Sequence, residues 1–229
     1  MEKLLETVEI ETGRNPAVSI IWLHGLGADG NDFVPVVQEL DLSQAPPIRF
    51  IFPHAPMQPV SINNGYVMRA WYDVSHGDLE GKSRQADEQG VRASQAAIGE
   101  LIEREEDRGI SNKNMMLAGF SQGGAIALQT GLRYPQPLAG VMALSTYLPL
   151  VESFAQEAAP ANAKTPIFMA HGTDDPVVPC AMGSNSKELL GKMGYSVEWH
   201  EYPMQHSVCL EEIQDIGAWL KRVLAARQS

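Results

Sequence analysis

Between Met115 and Gln129 the chain runs from an apolar segment, Met115-Met116-Leu117-Ala118, through Gly119-Phe120-Ser121-Gln122-Gly123. A helical pattern, Ala125-Ile126-Ala127-Leu128-Gln129, follows at once. A buried strand that turns into a helix within a few residues leaves few folds open. The serine between them must sit on a tight turn, and the flanking glycines leave room for crossing main chain. Strand, sharp turn and helix are the setting of a nucleophile elbow, which lifts a serine hydroxyl above a sheet edge. The first N–H groups of the new helix point toward the same spot. The bland alternative is a helix that merely starts near a serine, so the rest of the chain must supply a base, an acid and further donors.

Apolar runs and helical patterns alternate along the remaining sequence. Ala17–Leu23 reads as a strand buried on both faces. After it, Asp32 is placed to cap a helix carrying Phe33, Val36, Val37 and Leu40 on one face. Ile48–Phe52 is the next strand. Residues 53–83 form the longest irregular stretch and carry Tyr66, Trp71, Tyr72 and His76. Within it, Val60–Ile62 and Tyr66–Met68 flank Asn63-Asn64-Gly65, the pattern of a small hairpin. A long helix is predicted over Asp87–Glu106 with Gly109 as its stop. Strands follow over Leu138–Ser145, Pro166–Ala170 and Ser196–Tyr202, with a helix over 181–193. A last helix carries Ile213, Ile216, Leu220, Val223 and Leu224. This order predicts one α/β domain over residues 1–229, built on a mostly parallel sheet with helices on both faces. Ligands of such sheets bind beyond the carboxyl ends of the strands. The elbow, the loops opened by His24-Gly25 and His171-Gly172, and the loop holding His206 all follow strands.

Charge and cysteine usage narrow the partners. A net charge of −11 disfavours nucleic-acid binding or an anionic membrane surface. Cys180 and Cys209 form no C-x-x-C pair and fit reduced thiols, hence a cytoplasmic setting. Met1 to Thr7 alternates charged and aliphatic residues without the apolar core of a secretion signal. No run approaches the roughly 18 apolar residues of a membrane span, so stable membrane insertion is not expected.

A serine hydroxyl needs a base to take its proton as it attacks, and histidine, steadied by a carboxylate, suits that task near neutral pH. In α/β-hydrolases the order along the chain is Ser, then Asp or Glu, then His. Three histidines lie beyond Ser121. His200 sits inside an alternating strand and points to solvent or a surface pair. His171 precedes its candidate carboxylates and shapes a turn. His206 occupies a loop after a strand and fits the base best. The carboxylate is Asp174 or Asp175. Pro176 pushes Asp175 toward an extended backbone, and the other aspartate is expected to bond amides of the turn. Donors for a tetrahedral oxyanion are expected from the N–H of Gln122 and, on the glycine loop, that of Leu26.

Two readings of other classes compete. Gly25-Leu26-Gly27-Ala28-Asp29-Gly30 also satisfies G-x-G-x-x-G after a strand, the fingerprint of a dinucleotide-binding oxidoreductase. Against it, the next strand ends in Pro53-His54-Ala55 rather than an acidic residue, and Asp29 would repel a pyrophosphate. A non-catalytic binding module would ignore fluorophosphonate probes. No lysine completes a Walker loop, and no His, Cys and carboxylate cluster has metal-ligand spacing. No cofactor is expected.

Taken together, several segments resemble the phospholipase/carboxylesterase family. They are Ile21–Gly30, Met68–Asp73, Leu117–Gly124, Ala143–Pro149, His171–Pro176 and Met204–Ser207. The resemblance implies an α/β-hydrolase fold and hydrolysis of carboxylic esters or thioesters, with bacterial carboxylesterases, acyl-protein thioesterases and lysophospholipases among its activities. It implies Ser121 as nucleophile, Asp175 as triad acid, His206 as base, and Leu26 and Gln122 as oxyanion donors. Overall the chain looks closest to the bacterial carboxylesterases, with Tyr147 where thioesterase relatives often carry tryptophan. Only residues 147–165 separate two strands where larger hydrolases insert a cap domain. An uncapped, shallow acyl groove is therefore expected, walled by Leu26, Trp71, Leu148 and Val177 and covered by residues 63–73. Small-molecule or lipid acyl esters, and acylated proteins, would fit it. Relatives suggest a homodimer.

Overall fold

Every residue of the strands Val18–Leu23 (β2), Met115–Phe120 (β6), Gly140–Leu144 (β7) and Ile167–Gly172 (β8) is buried, save a half-buried Phe120. Alternate side chains then feed two cores, one on each face of a sheet. Along β2, Ile21 and Leu23 enter one core, while Val18, Ile20 and Trp22 enter the other. The computed structural model describes residues 4–75 and 87–226; His76, singled out above, lies outside them.

With Thr7–Glu11 (β1), Ile48–Pro53 (β3) and Val197–Tyr202 (β9), the central sheet has seven strands in the order β1-β3-β2-β6-β7-β8-β9. All neighbours are parallel except β1, which pairs antiparallel with β3. The chain builds outward from β2 to β3 and then returns to the other side of β2 as β6. The carboxyl end of β6 therefore lies at the point where strand order reverses, the usual crevice of an open α/β sheet.

Helices cover both faces. Glu88–Asp107 (α2) and Gln122–Gly131 (α3) pack into the core holding Leu23 and Leu117, together with Leu190 of Cys180–Lys192 (α5). Leu210–Ala225 (α6) covers the other face through Ile216, Trp219 and Leu220, beside the one-turn helix Val36–Glu39 (α1). A further short helix, Val151–Glu157 (α4), fills the connection between β7 and β8 in which no cap domain is inserted.

Three expectations need correction. The segment after the glycine loop is helical only from Val36, because Pro35 lacks an N–H and disfavours helical backbone at the residue before it. Asp29, not Asp32, serves that turn, accepting the Asn31 N–H at 2.7 Å. The hairpin is present, but its strands are Met57–Val60 (β4) and Tyr66–Arg69 (β5), with Ser61–Asn63 drawn into a 3-10 turn between them. Finally, the N-terminal stretch, read above only as far as Thr7, continues as β1, an edge strand: a half-buried segment of period two is what such a position asks for.

Candidate active site

The backbone at Ser121 lies at φ 54° and ψ −122°, a region that residues with a side chain rarely occupy. The surrounding fold holds it there. Ser121 N–H donates to Leu144 O at 2.8 Å, while Ser121 O accepts from Thr146 Oγ1 at 2.7 Å and from Ala125 N–H at 3.1 Å. The glycines on either side are required by contact. A Cβ on Gly119 would fall on the main chain of Gly123, and one on Gly123 would fall on the carbonyl oxygens of Leu23 and His24.

From this perch Ser121 Oγ reaches His206 Nε2 at 2.9 Å, and His206 Nδ1 reaches Asp175 Oδ2 at 2.6 Å. The network assigns the tautomer: Nδ1–H donates to the carboxylate and Nε2 accepts the serine proton. The three residues come from β6, β8 and β9, whose carboxyl ends lie along one sheet edge. The His206 loop is pinned by the loop after β8, since Thr173 N–H donates to Tyr202 O at 2.9 Å and Asp174 N–H to Met204 O at 3.1 Å. The His206 ring also packs on Phe120, with centroids 4.7 Å apart.

The two aspartates differ sharply. Asp175 is buried, and its second oxygen accepts the N–H groups of Val177 at 2.8 Å and Val178 at 2.9 Å. Asp174 is exposed and receives only a long bond, 3.3 Å, from the Thr173 hydroxyl. The expectation that the partner aspartate bonds the turn amides is thus corrected. One carboxylate does both jobs, because its two oxygens face opposite ways. His171, fully buried, donates from Nε2 to Val178 O at 2.8 Å and braces the same turn from behind; burial lowers its pKa. His200 lies between Glu198 at 3.2 Å and Asp215 at 3.4 Å, in the surface pairing expected of it.

Leu26 and Gln122 both line a groove of about 190 Å³ that includes Ser121, walled also by Ile62, Tyr72, Tyr147 and Val177. Among the described residues, neither the Leu26 nor the Gln122 N–H donates to a main-chain acceptor. Two predicted wall residues are corrected. Trp71 and Leu148 are only 1% and 3% exposed and lie behind the groove rather than along it. Leu148 N–H is held at 2.9 Å by Ser186 Oγ, which turns the side chain into the core. Tyr72 and Tyr147, whose hydroxyls lie 3.1 Å apart, take their places. Ile62 enters from the hairpin turn, a position that local pattern alone does not mark.

The dinucleotide reading meets an obstacle. No helix begins at Gly30; α1 starts only at Val36, so the glycine loop does not open a helix as the dinucleotide fingerprint requires. His24, the first residue of that loop, is buried, and burial lowers its pKa to about 4.

Beyond the His206 loop, α6 carries a buried carboxyl in its first turn. Glu212 stands where a capping-box glutamate would, facing the Cys209 amide, yet neither of its oxygens makes a well-formed hydrogen bond. Burial raises its pKa to about 8. The folded state therefore holds this proton longer than the unfolded chain, and Glu212 costs stability progressively as pH rises from about 4.5 to 8. Glu212→Gln is expected to raise Tm by several degrees at pH 9, at roughly 2–4 °C per kcal/mol, and to change it little at pH 4.5. Thermal melts at the two pH values check this; equal shifts at both would mean that Glu212 is ionised throughout.

Comparison with known proteins follows the same lines. The family model described as Phospholipase/Carboxylesterase matches residues 5–224. The acyl-protein thioesterase 1 of Neurospora crassa is 43% identical over 209 residues, covering 88% of this chain and 85% of that protein. The acyl-protein thioesterase 1 of Gibberella zeae is 40% identical over 212 residues, covering 90% of each chain. The crystal structure of SOBER1 from Arabidopsis thaliana, a carboxylesterase by name, superposes with a TM-score of 0.84 at 35% identity, covering 90% of this chain and 99% of that one.

Proposed function

This chain belongs to the phospholipase/carboxylesterase family, hydrolases of carboxylic ester bonds, and from that premise we propose that Ser121, His206 and Asp175 carry the reaction. The observation behind the assignment is the unbroken chain of contacts, 2.9 Å and 2.6 Å, ending on a strained serine. Ser121 Oγ attacks the acyl carbon while His206 Nε2 takes its proton. The oxyanion forms against the N–H groups of Leu26 and Gln122. His206 then protonates the departing alcohol or thiol, leaving an acyl-serine. A water molecule, deprotonated by the same nitrogen, releases the carboxylic acid and restores the serine. Asp175 holds Nδ1–H throughout and stabilises the imidazolium.

The acyl chain lies in the groove and the leaving group projects into solvent, since the connection between β7 and β8 inserts no cap domain. That openness suits acyl groups carried on lipids or proteins, and relatives named as acyl-protein thioesterases support the second kind of carrier. A reducing cytoplasm would suit the two free thiols, Cys180 and Cys209. At about 30 Å³ for each water-sized group, 190 Å³ takes an acyl segment of roughly six methylenes. Burying each is worth about 0.8 kcal/mol, a factor near four. In a series of p-nitrophenyl esters, kcat/KM is expected to climb from acetate to about the octanoate and then level. Activity confined to acetate would remove the groove from the proposal. Failure of a fluorophosphonate to label Ser121 would remove the mechanism itself.

A further inference from the structure

The two oxyanion donors come from loops about a hundred residues apart in sequence, and something must set their spacing. We propose that Trp71, acting through His24, is the positioning residue that orients the Gly25–Leu26 peptide and ties it to Gln122; this rests on the hydrolase reading above.

Trp71 is bonded to both loops. Its main-chain N–H donates to Gln122 Oε1 at 2.7 Å, and its indole Nε1–H donates to His24 O at 2.9 Å. Gln122 Nε2 donates in turn to Tyr72 O at 2.6 Å, so that one side chain bonds two successive residues of the Trp71 loop. From behind, Ser94 Oγ on α2 donates to Trp71 O. The indole also packs on the His24 ring, with centroids 5.3 Å apart.

His24 carries the constraint to the reacting peptide. Its Nε2 accepts the Ala55 N–H at 3.0 Å, which leaves Nδ1–H to donate to Gly25 O at 2.7 Å. Gly25 O and Leu26 N–H belong to the same peptide group, and in a trans peptide they point opposite ways. Fixing the carbonyl on the imidazole therefore aims the Leu26 N–H away from it, toward the groove it shares with Ser121. The arrangement needs a neutral ring, because a protonated Nε2 could not accept from Ala55, and burial keeps it neutral. Close approach completes the brace: Gly123 passes against His24 O so tightly that a Cβ there would strike it.

Two substitutions test this. Trp71→Phe keeps an aromatic ring but deletes the donor to His24 O. Gln122→Met keeps length and the main-chain N–H but releases the Trp71 loop. A donor displaced rather than deleted should cost part of the usual 100- to 1000-fold, so kcat is expected to fall by about ten- to a hundredfold. KM should stay within about twofold, and affinity for a trifluoromethyl ketone, which forms the tetrahedral adduct, should fall in step with kcat. Folded variants with kcat and ketone affinity unchanged would overturn the proposal. So would a raised KM at constant kcat, which would make Trp71 a matter of substrate binding. Failure of both variants to fold would reduce it to a core residue. Fluorophosphonate labelling of the unsubstituted protein, lost in Ser121→Ala, reports separately on the hydrolase reading.

Discussion

Ser121→Ala is expected to lower kcat for ester hydrolysis about a million-fold while leaving the fold intact. Removing a nucleophile that acts as a unit with its base costs about as much as removing the whole set, and what survives comes from binding and the oxyanion donors. Stability should barely move. Alanine and serine meet the same difficulty at φ 54°, so the backbone strain is unchanged. The bonds that hold the turn run through the main chain of residue 121. Only the hydroxyl contact to His206 is lost, and its surroundings are partly open to solvent. Single-turnover hydrolysis, fluorophosphonate labelling and a thermal melt on the same preparation check the three parts. Residual activity within tenfold of the parent would place the nucleophile elsewhere.

Asp175→Asn is expected to cost about 10,000-fold in kcat, and Asp174→Asn less than about threefold. The difference follows from what faces each carboxyl. An amide at position 175 can still accept the Val177 and Val178 N–H groups through its oxygen, but then turns its NH2 toward His206 Nδ1. The imidazole must present Nδ1 as an acceptor, which moves its proton to Nε2 and leaves nothing to receive the serine proton. Asp174 faces solvent and touches no member of the triad, so its amide changes little. Parallel kinetics on the two variants, with circular dichroism to confirm folding, decide the matter. Equal losses at the two positions would transfer the role of acid or divide it.

The same pair of aspartates shows how far the sequence could be read. Pro176 argued for Asp175 on backbone grounds, and the family pattern implied it, but adjacency in sequence made the two nearly equivalent. The contacts of the fold separate them: only Asp175 turns inward between β8 and the His206 loop. Trp71 shows the opposite case. An aromatic in a long loop near the elbow reads as a groove wall, yet three hydrogen bonds to remote residues, Gln122 Oε1, His24 O and Ser94 Oγ, draw it inside. The tyrosine beside it, Tyr72, reaches the groove instead. His24 was legible only as the start of a glycine loop, because the partner that gives its ring a task, Ala55 N–H, lies 31 residues away.

By itself, the sequence determined what is local. Continuous apolar runs and period-3.6 patterns set the order of strands and helices, glycines marked where main chain must cross, and residue type named a serine, a histidine and a carboxylate able to move a proton. Only the tertiary structure decided which of two neighbouring aspartates faces the imidazole, which aromatic lines the groove and which is buried beside it, and how two residues as distant as Leu26 and Gln122 come to line one groove. The reason is range. Local pattern reports how a segment sits against the sheet, whereas a hydrogen bond of 2.6–2.9 Å between residues separated by dozens of positions is set by how whole elements stack, and no window of sequence contains both ends of it.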